Sequence, residues 1–538
     1  MSNKLEKRRN ALRAVSVAAA TALTTVALSA CTGGGAAPTA PGGASDGKPS
    51  GTINARIYSD PSTFNPALAA GVQTFQLDRL LYDTVLRRDT DGIVGGLAKS
   101  WTASSASDYT FTIRDGSTCS DGTPITATVV ANSLKYLADP NTGSTWKALA
   151  FGDGTPTITA NDADSTVHVG LSAPFADLEA GLTVAQTGII CPAGLADLAG
   201  LKAGSVAGAY SGPYSLAESK PGLSYSLKFN AQYKAWPDFS SPLDGRPAET
   251  IAYTISNDES TTANQVLAGQ VDFADFADWN TIARFTGNDT IHQNRITAYT
   301  TYVVFNERPG HAFADKPELR KAVAQAVSQK GFNAVFSNGN AEVLTSIVPA
   351  SYECVNKDQS LLIAPDAAAA KNALSSVDGI KMLGNTANVS FSNGADYIYS
   401  ALTTAGAGVD LQKVDNATFW STIAKGDSDW DLVFIGDQNA GQTISASLSR
   451  TMGPAVEDNG RNFSASDNPA GVEAMKAGLA TTDPKERCDH FEAAQKTLFD
   501  RYDVVPLVGG STVTITRANV SARKIGENVD PATLRLMG

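Results

Sequence analysis

Leu97-Ala98-Lys99-Ser100-Trp101, then Tyr109-Thr110-Phe111-Thr112-Ile113-Arg114-Asp115-Gly116, then Ser120-Asp121-Gly122-Thr123-Pro124-Ile125-Thr126-Ala127 follow one another closely and hold the most architectural information in the chain. Tyr109, Phe111 and Ile113 alternate with polar residues, which predicts a strand with one buried face. Arg114-Asp115-Gly116 and Asp121-Gly122-Thr123-Pro124 read as tight reversals. Thr126 can then cap a helix, because its hydroxyl can accept from a free first-turn N–H, and Val129, Val130, Leu134 and Leu137 make that helix's apolar face. Strand, turn, turn and helix in one short span point to an α/β architecture.

The same grammar continues outward. Val167, Val169 and Leu171 alternate as a strand and leave His168 on the opposite face, a place for a solvated or paired histidine rather than a catalytic one. Tyr225, Leu227 and Phe229 repeat the pattern. In the second half, Leu319, Ala322, Val323, Ala326 and Val327 keep the helical period behind Pro317, a first-turn residue. Asp483-Pro484 opens another helix, with Cys488, Phe491, Leu498 and Phe499 inward. Strand character returns at 504–508 and again at 513–515. No fixed-period repeat occurs, so the chain is not a solenoid.

Catalytic signatures are missing. The chain has no G-x-S-x-G, H-E-x-x-H or G-x-x-x-x-G-K-[ST], and in Gly208-Ala209-Tyr210-Ser211-Gly212 the serine falls one place late, with Pro213 where a helix should start. Asp89-Thr90-Asp91-Gly92 and Asn161-Asp162-Ala163-Asp164 are acidic turns too short for a calcium loop. Cys119, Cys191, Cys354 and Cys488 show no C-x-x-C spacing, and no two histidines have ligand spacing, so neither a metal nor another cofactor is expected. An even number of cysteines in an exported chain allows two disulfides. Cys119 with Cys191 and Cys354 with Cys488, one pair per half, is the simplest connectivity, and a buried free thiol at Cys488 is the rival.

Export is written at the start. Lys4, Lys7, Arg8, Arg9 and Arg13 form a basic region, Ala14 to Ala30 is apolar but short for a membrane span, and Leu28-Ser29-Ala30-Cys31 closes the leader as a lipoprotein signal does. Residues 1–30 are therefore expected to be removed, leaving Cys31 as the lipid-bearing first residue. Residues 31–50, mostly Gly, Ala, Pro and Ser, form a flexible tether. Arg8-Arg9 half-matches a twin-arginine signal, so the export route stays open. The chain of 538 residues has a formal charge of −12, and the leader is basic, so the remainder is more acidic still. No basic stripe is present, which argues against nucleic acid. No other apolar run is long enough to span a membrane, and the body is long enough for two or three sub-domains.

The opening motif resembles the "LAesW…yTFtLRdGvkFsDGtpltA" signature of the extracytoplasmic solute-binding proteins of ABC importers, in the peptide- and nickel-binding class known as family 5. Asn65-Pro66, Tyr82-Asp83-Thr84-Val85-Leu86, Gly212-Pro213-Tyr214, Phe229-Asn230-Ala231-Gln232-Tyr233, Ala268-Gly269-Gln270-Val271-Asp272, Val304-Phe305-Asn306 and Trp430-Asp431-Leu432-Val433 match in order. The resemblance implies a two-lobed periplasmic-binding-protein-like α/β fold (class II, cluster C): lobe I over 51–280 with an inserted sub-domain at about 85–200, lobe II over 281–505, and a return to lobe I over 506–538. It further implies a monomeric, non-enzymatic receptor outside the cytoplasmic membrane that delivers a solute, a small peptide first, to ABC permease subunits. The alternatives are an exported hydrolase, a sensor or interaction lipoprotein on the same fold, or a receptor for a sugar derivative, opine or metal chelate. Members that bind a peptide's α-ammonium often place an aspartate where this chain has Ala440, with Asp437 nearby. Trp279, Tyr302 and Asp437 are the expected ligand-binding residues. Thr128-Val129 and Gln329-Lys330, where the family often has charged pairs, read as scaffold variation.

Overall fold

Two strands longer than the sequence pattern predicts, Ile291–Phe305 and Val504–Arg517, run antiparallel through the middle of the protein. The computed structural model describes residues 48–538 apart from 427, 428 and 459; Cys31, its leader and nearly all of the tether lie outside the described residues. Val504–Arg517 joins the two segments that the sequence separates. The break in its apolar pattern, Gly509-Gly510, falls where the long strands press together. A Cβ on Gly510 would lie 2.1 Å from the Tyr299 ring, and one on Gly509 would lie 2.5 Å from Thr297 Cγ2. Pro506, which cannot donate to a ladder, pairs with Tyr302 beside a register shift, the place where a central strand tolerates it.

An 11-stranded sheet grows from this pair in both directions. On one side lie Leu432–Asp437, Ile380–Asn385 and Val409–Val414; on the other lie Phe273–Phe276, Thr52–Ile57, Thr250–Ile255, Ser224–Phe229 and Tyr214–Lys220, and the two-residue strand Glu342–Val343 pairs with Val504–Arg517. Each side carries its own apolar cores, and the long strands pass between them, so the molecule is two-lobed. In the second lobe Pro317–Ala326, Gln329–Ser337 and Val389–Thr404 cover one sheet face, and Pro484–Asp500 packs on the other.

The opening motif builds a separate layer. Ala98–Ser105, Asp108–Ile113, Thr166–Leu171 and Pro156–Asn161 form a four-stranded antiparallel sheet. Tyr109, Phe111 and Ile113 are buried, as are Val167, Val169 and Leu171, and they close on Val130, Leu134 and Leu137 of the helix Ala127–Ala138. Thr126 Oγ1 accepts from the Val129 N–H at 3.4 Å, a cap of the kind worth about 1 kcal/mol. His168, half-exposed on the outer face, pairs with Asp108 at 3.0 Å. Ser211 is fully buried, donates to the Ile189 carbonyl and accepts from the Asp83 N–H, a structural role.

Cys119 and Cys191 form a disulfide within this layer's core, with Cα atoms 6.1 Å apart; Cys354 and Cys488 form a second, with Cα atoms 4.6 Å apart, and fasten the helix Pro484–Asp500 to a loop of the second lobe. The chain ends in the hairpin Val520–Ile525 and Asn528–Leu536, which returns to the first lobe through Val520, Ala532 and Leu534 and through an Arg87–Asp530 ion pair of 2.7 Å. Among the described residues no helix is long and apolar enough to cross a membrane.

Candidate functional site

Asp437 ends the strand Leu432–Asp437 opposite Thr300, where the long strand Ile291–Phe305 passes from one lobe to the other. That strand shifts register on either side of Thr300, and its segment 297–300 floors a small cavity. Tyr352, Asp437, Asn439 and Ser447 wall it from the second lobe. Asp437 is 2% exposed, and a carboxylate so buried requires partners. Arg450 Nε lies 2.5 Å from its Oδ1, and the Tyr302 hydroxyl donates to its Oδ2 at 3.1 Å. The Arg450 contact is an ion pair without hydrogen-bond alignment, since neither atom has a hydrogen-bond partner.

Tyr302 is fully buried, and its phenol is held well above the usual range by burial first and then by the Asp437 charge. It therefore reaches the site through Asp437 rather than through the cavity surface. Arg450 also donates to the Gln438 carbonyl at 3.3 Å and stands over Phe463. The backbone of Phe463 bonds to that of Arg450, which brings Arg461 alongside. Burial, then the like charge of Arg450, lowers the Arg461 guanidinium to about 10, opposed by Asp437. Among the described residues Arg461 forms neither an ion pair nor a hydrogen bond.

Two carboxylates outside the cavity lining hold Thr297. Thr297 donates its N–H to Glu527 at 2.5 Å and its hydroxyl to Glu342 at 3.2 Å. Glu527 comes from the turn of the C-terminal hairpin and also accepts from Ser351 at 2.6 Å; Glu342 also accepts from the Ala350 N–H. Neither carboxylate forms an ion pair among the described residues.

First-lobe residues meet the second lobe along a seam beside the cavity. Arg88 donates to the Gly441 carbonyl at 2.5 Å, the Ala176 N–H donates to the Leu479 carbonyl at 2.9 Å, and buried Asp177 accepts from both Ser445 and Arg487. The lobes are closed on each other.

The structure thus brings Tyr302 and Asp437 together and puts Trp279 elsewhere. Trp279 starts the short helix Trp279–Ile282, capped by Asp278, and is half-buried against a first-lobe core with the Arg295 guanidinium 4.8 Å from its ring centre. Ala440 is half-buried and does not line the cavity. Sequence reading missed Thr297, Tyr352, Glu342, Arg450, Arg461 and Glu527. They come from separate loops and strand ends, and no local motif marks them. No group of His, Cys, Asp and Glu suited to a metal occurs among the described residues.

The sequence profile described as bacterial extracellular solute-binding proteins, family 5 middle, matches residues 92–454. A probable D,D-dipeptide-binding periplasmic protein of Escherichia coli is 25% identical over 463 residues, which cover 82% of this chain and 85% of that protein. A substrate binding protein from Microbacterium hydrocarbonoxydans, solved with 4-hydroxybenzoate hydrazide, is 36% identical, with a TM-score of 0.78 and coverage of 90% of this chain and 100% of that one. A periplasmic binding protein from Helicobacter pylori, solved with the peptide STSA, is 18% identical with a TM-score of 0.74 over 91% and 98% of the two chains, a likeness of fold alone.

Proposed function

Because the chain belongs to the bacterial extracellular solute-binding proteins of family 5, which serve ABC importers, we propose that it captures a small peptide or peptide-like solute between its lobes and releases it unchanged to an import permease. The observation that carries this reading is the cavity beside the inter-lobe seam, floored by the crossing strand and lined by buried Asp437. The ligands of these relatives agree in kind: a D,D-dipeptide in one, and in another a hydrazide, which like a peptide joins an acyl carbon to N–H. Asp437 is the charged residue among the cavity's lining, and Thr297, Thr300, Tyr352, Asn439 and Ser447 add polar groups suited to recognising a solute.

In this reading the protein works outside the cytoplasmic membrane as a monomer, held by a lipid on Cys31, and the tether 31–50 lets the lobes reach the permease. Thermal unfolding with and without dipeptides, and with 4-hydroxybenzoate hydrazide, tests it. A true ligand at 100 times its Kd adds about 2.7 kcal/mol to stability, and the compound is recovered intact. Cleavage of every stabilising compound by pure protein would replace the receptor reading with a hydrolase.

A further inference from the structure

Asp177 turns its carboxylate away from its own helix. It stands at the start of the short helix Leu178–Gly181, where an aspartate oxygen ordinarily accepts from a free first-turn N–H, yet it makes no such cap. Both oxygens cross to the second lobe instead: Oδ1 accepts from the Arg487 guanidinium and Oδ2 from the Ser445 hydroxyl. At 2% exposure the carboxylate is desolvated, and the side chains that stabilise it there belong to the other lobe.

The neighbouring contacts tie the same seam. The Ala176 N–H donates to the Leu479 carbonyl at 2.9 Å, and Arg88 donates to the Gly441 carbonyl, where a Cβ on Gly441 would lie 3.1 Å from Leu149 Cδ1. Arg487 is braced on its own side, with its guanidinium 5.3 Å from the Phe491 ring centre. It is also one residue from Cys488, whose disulfide to Cys354 fastens this helix to the loop that carries Tyr352, a wall of the cavity. Asp177, Ser445 and Arg487 themselves do not line the cavity.

Separating the lobes leaves neither charge stranded. Asp177 regains water and the first-turn N–H groups of its helix, and Arg487 regains water for its Nε, which is buried without a partner in the closed seam. Removing one partner from the closed form has the opposite result, since it leaves the other charge desolvated there. The pair therefore favours closure only while it is intact, and opening stays reversible.

We infer that Asp177 and Arg487 form a latch that sets how often the lobes part, acting as positioning residues that touch no solute. Its effect on release rests on the receptor reading, because a solute held between the lobes leaves when the seam opens. The latch itself does not.

Amide hydrogen exchange of the full-length protein without solute, resolved at Ala176, tests it, because that N–H is bonded across the seam. Wild-type protein should protect Ala176, and Arg487→Gln and Asp177→Asn should each lower that protection about tenfold or more while the amides of the strand Asp108–Ile113 keep theirs. The double variant should lose little beyond either single one. An unprotected Ala176 in the wild type, wild-type protection in the single variants, or additive losses overturns the latch. Loss at Ala176 only together with loss in Asp108–Ile113 shows that the pair holds the fold rather than the seam, and overturns it too. With alanyl-alanine or 4-hydroxybenzoate hydrazide bound, dissociation from Arg487→Gln should quicken by the factor seen at Ala176, and an unchanged rate would overturn control of release. Failure of every compound to bind counts against the receptor reading and leaves the exchange result standing.

Discussion

Arg450 and Asp437 show how little of a buried charge pair can be read locally. Asp437 stands out at the end of an apolar strand, but its partner arrives from a later turn and its hydrogen-bond donor from the strand beside it. Removing one member leaves the other charged and desolvated. Arg450→Leu should therefore cost about 3 kcal/mol, and Arg450→Leu combined with Asp437→Asn should cost less than the single change; additive losses in denaturant unfolding would contradict this coupling. Thr126 is the opposite case, since a cap three residues before its acceptor's partner is local chemistry and legible in sequence. Asp83 gives a pH signature. It is fully buried, and burial raises its carboxyl to about 6 despite Arg87 and the Tyr233 hydroxyl. The folded state thus binds more protons than the unfolded one between about pH 4 and 6, so this group's contribution is full below pH 4 and falls as pH rises through 6. The loss is roughly 3 kcal/mol. Thermal unfolding of Asp83→Asn across that window should lack this component, and an unchanged pH slope would rule it out.

Elements with one wet face were legible and those without were not. Asp108–Ile113 and Thr166–Leu171 alternate because one face is buried and the other is half-open. Val504–Arg517 is buried on nearly every residue, so alternation vanishes, and Pro506 and Gly509-Gly510 look like punctuation. They are contact points instead. Gly510 lets the Tyr299 ring lie against the partner strand at the crossing between lobes, and a methyl there has no room. Gly510→Ala should destabilise by about 1 to 3 kcal/mol and weaken solute binding together, because the crossing must shift. Wild-type stability and affinity in that variant would show that the close approach has no role in closure.

The whole molecule was legible in its class. The family pattern is a sequence property, whereas the seam between lobes is not; the expected leader and nearly all of the tether lie outside the described residues. Asp177 meets Ser445 and Arg487 only because two lobes close, and no spacing along one chain encodes that meeting. The cavity inherits the same difficulty, since Thr297, Tyr352, Asp437 and Ser447 come from separate segments of the chain. The proposed lipid anchor can be tested apart from the folded body. Cys31→Ser should move the protein from the membrane fraction to the soluble one, because the acceptor thiol is lost. Retention of that variant in membranes would remove the lipid anchor from the account.

Native mass spectrometry of the purified protein, titrated with short peptides and with 4-hydroxybenzoate hydrazide, tests solute capture most directly. The account predicts a saturable adduct of one solute per chain, released at its original mass and weakened by a change at Asp437. Absence of any saturable adduct, or release of the solute as cleaved product, would contradict it.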